Sequence, residues 1–419
     1  MQFNKKVLVL AVAAALPCTG AHAQTNAELL QQIQLLKAQL EALTAKVEAV
    51  SQQAGGVNPQ EFNRLVQKVD LAEDNSIASG FKGLKFKGVI EASYIHDRLQ
   101  TDDGTVTGLR ETQRFTAGNG NGATGMFEIG KEVDDGVGWM LRLTPGAGNA
   151  GLVHEATVSI PIGDSGTKLN AGLVPDYQGY EYFFAHQNPL MTHNLLWSYA
   201  GPTSYEGVGM SYVLGKWTAK WLFGNIDGQR SSKSPGIVYR ADYTVSEYTY
   251  VGFAGAHART TRQFDLMEVD AGFTRGDWSL NGQLNYGRER GAASNLGDAR
   301  WWGMSALAGY KITPTLQLLT RFDYISNRKN GGGIYAATTG DNLSGFGPEL
   351  DSTGTATDPN RGANRYALSA GFNYSINANA AWKTEVRVDR STGYNFMDPK
   401  TGTFKRSNVL LGTAVVVSF

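Results

Sequence analysis

The spacing of apolar residues changes period twice along the chain. Residues 7–16 are an unbroken apolar run behind Lys5 and Lys6. That run of ten is too short for a bilayer-spanning helix, which takes about 20 residues. Pro17 ends it, and Ala21-His22-Ala23 supplies an A-x-A cleavage site, so residues 1–23 read as a secretory signal peptide. Lipid attachment at Cys18 is the lesser reading, because Pro17 stands where such a site needs a small residue. Leu29, Ile33, Leu36, Leu40, Leu43, Val47 and Val50 are then spaced alternately four and three apart. Ile33, Leu40 and Val47 take position a of a heptad, the others position d, which predicts an α-helical coiled coil over 24–55. A single amphipathic helix lying on the next domain is the alternative. Gly55-Gly56 ends the helix, and a linker follows over 56–80.

From residue 81 to 419 the period is two. Trp278, Leu280, Leu284 and Tyr286 share one face, and Ser279, Asn281, Gln283 and Asn285 the other. Strands are expected at 83–98, 123–133, 138–144, 152–162, 167–175, 204–214, 216–226, 236–246, 248–259, 264–275, 277–288, 300–312, 314–327, 364–377, 380–391 and 406–419. The links between them alternate short and long, the longest being 99–122, 176–203 and 328–363. Ten-residue alternating segments, an even strand count and alternating link lengths predict an all-β fold: a transmembrane antiparallel β-barrel of about 16 strands. Trp278/Tyr286, Trp302/Tyr310 and Tyr366/Tyr374 are pairs eight residues apart on outward faces. At about 3.3 Å per residue and a tilt of about 40°, such a pair spans roughly 20 Å, near the height of an apolar band between aromatic girdles.

Composition narrows the function. Charged residues are 18% of the 419, below the roughly 25% of soluble domains. Lys+Arg and Asp+Glu are both 38, which gives no basic footprint for a nucleic acid. Cys18 is the only cysteine, so disulfides and thiolate metal sites are excluded. Past the leader the histidines are His96, His154, His186, His193 and His257, with no Ser at a spacing that suggests a nucleophile–base set. His186 and His193, with Glu181 nearby, would make a loose metal set; hydrogen-bonded loop histidines are the plainer reading. No enzyme activity, metal or cofactor is expected.

The faces opposite the apolar ones carry Lys85, Lys87, Arg142, Lys168, Lys220, Arg240, Lys311, Arg321, Arg365, Lys383 and Arg387. They also carry Glu91, Glu128, Glu132, Glu155, Asp242, Glu268, Asp270, Asp323, Glu385 and Asp389. Facing lipid, each Arg or Lys would cost about 2–4 kcal/mol at the midplane. They therefore face a lumen, and sixteen strands leave room for water there. The alternative is that these charges pair and fill a closed barrel.

The leader, the heptad prefix, the sixteen-strand pattern and the ending GTAVVVSF together resemble Gram-negative outer-membrane porins. The segment around Gly179-Tyr180-Glu181 is similar to the region of the putative β-barrel porin family where such a triplet leads from a strand into a loop. The resemblance implies an outer-membrane location with the coil in the periplasm, and a water-filled channel for passive diffusion of small hydrophilic solutes. It makes Phe419, with Val417 and Val415 in register, a signal read by the outer-membrane assembly machinery. Ile at a with Leu at d favours two strands, which Leu40 and Val50 weaken; the usual trimers of the family imply a homotrimer through barrel wall and coil. Membrane lipid, lipopolysaccharide and peptidoglycan are the other expected partners.

The resemblance also implies that loop 176–203, the third long one, folds inward and narrows the pore. Asp176, Tyr180 and Glu181 on the loop are then expected to face Arg321, Arg365 and Arg387 across the lumen. Such rings of charge set ion selectivity. Lys383, Glu385, Asp389, Arg240, Asp242 and Asp270 are expected to line the pore. A structural or adhesive outer-membrane protein, its coil gripping the cell wall, is the alternative function.

Overall fold

The computed structural model describes residues 83–97, 113–117, 125–131, 136–144, 153–163, 166–226, 235–259, 263–334, 346–398 and 401–419. The signal peptide, the coiled coil and the linker lie outside the described residues.

Alternation is realised as strands β1 (Leu84–Asp97), β2 (Gln113–Ala117), β3 (Met126–Lys131), β4 (Gly138–Leu143), β5 (Val153–Pro161), β6 (Lys168–Pro175) and β7 (Ser204–Leu214). These continue into β8 (Trp217–Asn225), β9 (Pro235–Ser246), β10 (Thr249–Ala258), β11 (Phe264–Arg275), β12 (Trp278–Glu289), β13 (Ala299–Lys311) and β14 (Leu316–Ser326). A small hairpin, β15 (Pro348–Leu350) and β16 (Ala356–Gly362), precedes β17 (Arg365–Asn377) and β18 (Ala380–Ser391). A second, β19 (Phe396–Asp398) and β20 (Thr403–Lys405), precedes β21 (Ser407–Ser418).

Seventeen of these strands share one sheet. β2 and β3 pair with the same edge of β1, β2 along Ala92–His96 and β3 along Leu84–Val89, so the two are halves of one stave and the ring has sixteen. The other edge of β1 pairs with β21 from Val89↔Ser418 to Asp97↔Leu410. Every pairing among the described residues is antiparallel, and the β1–β21 pairing closes the ring. Two expectations are corrected here. Residues 113–117, read as part of the first long loop, supply the upper half of the second stave, and the links 328–363 and 392–405 each contain a hairpin.

The outer face is apolar. Trp278, Leu280, Leu284, Tyr286, Trp302 and Tyr310 are all exposed, while Gln283 and Asn285 point inward and are buried. Cross-strand register pairs Trp278 with Tyr310 and Tyr286 with Trp302, so the aromatics form two rows, one toward each end of the strands. The first pair has ring centroids 4.8 Å apart, and Trp302 lies 5.2 Å from Tyr324 in the second row. Exposed apolar surface this continuous exceeds the patches of soluble monomers and matches the lipid band of a barrel.

The ring closes at the C-terminus. The Gly88 amide donates to the Phe419 carbonyl at 2.8 Å and the Phe419 amide to the Gly88 carbonyl at 3.0 Å. A Cβ on Gly88 would lie 2.2 Å from the Phe419 ring, so the terminal ring occupies the space that glycine leaves. Phe419, Val417 and Val415 all face outward and are exposed.

The inside is packed as well as charged. Leu195, Leu196, Tyr199 and Ala200 from loop 176–203 form one buried cluster with Tyr205, Leu222, Val238, Phe264, Leu266, Trp301 and Ile325 of the wall. Ile334 and Phe346 of the link 328–363 join it. That link therefore does not run wholly through solvent.

Candidate functional site

Loop 176–203 leaves β6 and returns to β7 through a neck closed by the Asp176 amide donating to the Thr203 carbonyl at 3.1 Å. Its only regular elements are a 3-10 turn at Ala185–Gln187 and the single-turn helix α1 (Leu195–Tyr199). Asn194 caps α1, its Oδ1 accepting from the Trp197 amide at 2.7 Å. A loop with so little internal structure leaves most of its amides and carbonyls to find partners elsewhere.

The wall supplies them. Cross-strand register puts Arg321, Ser369 and Arg387 in one row over β14, β17 and β18. Arg321 donates to the carbonyls of Thr192 at 2.7 Å and His193 at 3.0 Å, and pairs with Glu181 at 2.9 Å. Arg387 donates to the His193 carbonyl at 2.8 Å. Lys383 donates to the carbonyls of Asn188 at 2.6 Å and His186 at 3.1 Å. Glu385 does the reverse, accepting from the amides of Met191 at 2.9 Å and Thr192 at 2.7 Å. Arg365 holds the Tyr199 hydroxyl at 3.1 Å and pairs with Asp389 at 2.9 Å. Tyr180 bonds Ser305 at 2.6 Å, and the Gly179 amide donates to Glu268.

The sequence-derived pairing of loop acid with wall base is thus present, in a different form. Glu181 does not face Arg321 across water; the two touch, with side chains 1% and 0% exposed. Arg321, Arg365 and Arg387 are covered by the loop, and so are Lys383, Glu385, Asp389 and Asp270, all at 3% or less. None of these seven lines open water. Asp176 stays at the neck, half-buried, its carboxyl pushed well above the ordinary range by desolvation and by the Glu268 charge. Burial pushes Glu181 up to about 7 against the pull of Arg321. It pushes His193 down to about 3 and His186 to about 4. The His193 ring stacks on Trp197, centroids 3.6 Å apart, with Nε2 2.8 Å from the Tyr182 carbonyl oxygen.

The opposite wall is different. Arg142 bridges Glu128 at 2.7 Å and Glu155 at 2.5 Å, and these three side chains keep 14–18% exposure. Arg240 and Asp242 pair at 2.7 Å with 10% and 29% exposure. The Lys220 ammonium sits 4.0 Å from the centre of the Tyr177 ring. On the loop side of this region stand Tyr177 and Phe184, the latter 5.7 Å from the Arg142 guanidinium. Strand parity had marked Arg142, Glu155 and Lys220 as inward; nothing in the sequence marked them as the inward charges left uncovered.

Residues 83–419 match the family described as Putative beta-barrel porin-2, OmpL-like. Outer-membrane expressed OmpT of Vibrio cholerae superposes with a TM-score of 0.54 at 13% identity, over 80% of this chain and 97% of that one. The trimer form of in-vitro folded OmpT gives 0.53 at 11%, over 80% and 99%. An anion-selective porin from Comamonas acidovorans gives 0.52 at 11%, over 80% and 99%. At these identities the likeness is one of fold. No curated protein matches the chain in sequence.

Proposed function

This chain belongs to the β-barrel porin-2 family of outer-membrane proteins, and from that premise we propose that it passes small hydrophilic solutes down their gradients through one side of its lumen. The observation that carries the reading is the asymmetry of the inner wall. Charges on β14 to β18 are covered by loop 176–203, whereas Arg142, Glu128, Glu155 and Asp242 on β3 to β9 keep contact with water. The constriction is then bounded where the loop, through the buried Tyr177 and Phe184, packs against Lys220 and Arg142, and the open side is lined by Arg142, Glu128, Glu155 and Asp242.

Asp176, Tyr180 and Glu181 set this gap indirectly, by fixing where the loop lies. The signal peptide over 1–23 delivers the chain, the coil over 24–55 sits in the periplasm, and three copies assemble. The trimer form of the Vibrio cholerae OmpT structure supports that number.

Planar-bilayer recording tests the reading. Discrete conductance steps are expected from the purified protein. Arg142→Gln shifts the reversal potential toward cations and Glu155→Gln toward anions. Absence of steps from folded protein overturns the channel and favours the structural role. Unchanged reversal potentials in conducting variants place the constriction elsewhere.

A further inference from the structure

One outward row at the long-loop end is charged. Register aligns His257, Asp265, Arg288 and Arg300 across β10, β11, β12 and β13. All four lie on the face that carries Met267, Tyr286 and Trp302, which form the row immediately beneath them. Arg259 and Arg290 flank the row from the strand ends. Asp298 holds Arg288 at 2.6 Å and reaches Arg300 only at 4.0 Å; Asp265 holds Arg259 at 2.5 Å and His257 at 2.8 Å. Arg290 donates to the Gln263 side chain at 2.9 Å. Among the described residues four guanidiniums therefore share two carboxylates, and three of the four have side chains at least 40% exposed with the acids already in contact.

We infer that this row is a binding site for the phosphate groups of a lipopolysaccharide in the outer leaflet, with its acyl chains lying down the exposed column of Met267, Val269 and Leu284. Guanidinium forks match phosphate oxygens in pairs, and an excess of two positive charges is left for such a ligand. The height agrees, because phosphates sit just beyond the aromatic row of a membrane protein and the apolar residues below it meet hydrocarbon. A soluble anion would gain nothing from that column, which is why a lipid is the occupant argued for. The inference rests on the long loops facing the cell exterior, as the porin reading requires.

Titration of the full-length protein with purified bis-phosphorylated lipid A, read by native mass spectrometry, tests it. Arg288→Gln/Arg300→Gln should bind at least tenfold more weakly than the parent, and Asp298→Asn, which releases Arg288, several-fold more tightly. Lipid A stripped of both phosphates should bind the parent no better than it binds the double variant. Equal binding by parent and double variant, or no gain in Asp298→Asn, overturns the site. So does inorganic pyrophosphate binding as tightly as the lipid, which would make the row an anion site alone. Conductance of the double variant should equal the parent's, so a failed channel and a failed lipid site give separate results.

Discussion

Removing the Arg321 guanidinium should release loop 176–203 from the wall without opening the barrel. Arg321 holds the loop at the Glu181 carboxylate, at the Thr192 carbonyl and hydroxyl, and at the His193 carbonyl, and it is fully buried. Gln at this position reaches at most one of those acceptors and leaves Glu181 and Asp323 without their cation. Breaking a buried ion pair from one side costs about 3–5 kcal/mol. The lost carbonyl contacts belong to the same network and are not added separately. Arg387, Lys383 and Glu385 still hold the loop, so the change applies to a docking equilibrium. At about 1.4 kcal/mol per tenfold, the undocked population rises by roughly two to three and a half orders of magnitude. Ser198 is buried in α1, and Cys replaces it nearly isosterically. Cys18, the only native cysteine, leaves with the proposed signal peptide, so thiol labelling at position 198 reports exposure of the loop. Labelling in Arg321→Gln should be at least a hundredfold faster, while resistance of the barrel to heat in detergent is unchanged. A rate within threefold of the parent's, in folded protein, would refute the idea that these contacts hold the loop.

The same labelling reads pH. A raised acid such as Glu181 or Asp176 favours docking below its ordinary pKa and loosens it as pH rises, for Glu181 through about 7. A lowered histidine favours docking above its ordinary 6.5 and loosens it as pH falls through about 4 for His186 and about 3 for His193. Between about pH 4.5 and 6.5 the two acids and two histidines oppose each other, so the parent profile should be shallow. In Glu181→Gln one acid is gone, and labelling should accelerate as pH falls from 6.5; profiles of the same shape would refute the assignment. Deleting 24–55 should loosen assembly and leave the barrel folded, and a monomeric native mass for the full-length protein would refute a coil-held trimer.

Most of the barrel was legible because its cause is local. Alternation fixes which side chains face lipid, and β7, β11 and β18 begin and end where the pattern does. The second stave was misread because its upper half, QRFTA, is followed by the Gly- and Asn-rich stretch 118–125, which breaks the alternation. What holds that half in place is its ladder to β1, a partner remote in sequence. The hairpin β15–β16 was missed for a related reason: ATDPNRG contains proline and does not alternate. At the site, parity showed which charges point inward and placed three arginines opposite the loop. It could not show coverage. On the loop, Arg387 and Lys383 meet the backbone carbonyls of His193, Asn188 and His186, and a carbonyl leaves no mark in the sequence.

Coverage changes what the inward charges mean. The sequence argument ran from charge to water, since a charge must be solvated or paired. On β14 to β18 the loop backbone takes the place of water: cations solvate its carbonyls and Glu385 solvates its amides. The charges there also nearly cancel, with Arg321, Arg365, Lys383 and Arg387 against Asp323, Glu385, Asp389 and Glu181, the last only partly ionised near pH 7. In the proposed channel that half of the lumen therefore adds little net charge to the field a passing ion meets. In the proposed channel selectivity falls to the other half, where Arg142 and Lys220 stand against Glu128 and Glu155, and Arg240, also held by the loop carbonyls of Tyr177 and Gly179, stands against Asp242 and Asp270. A channel bounded this way should discriminate weakly between cations and anions as it stands. It should also respond clearly to loss of a single charge, because nothing nearby is left to restore the balance.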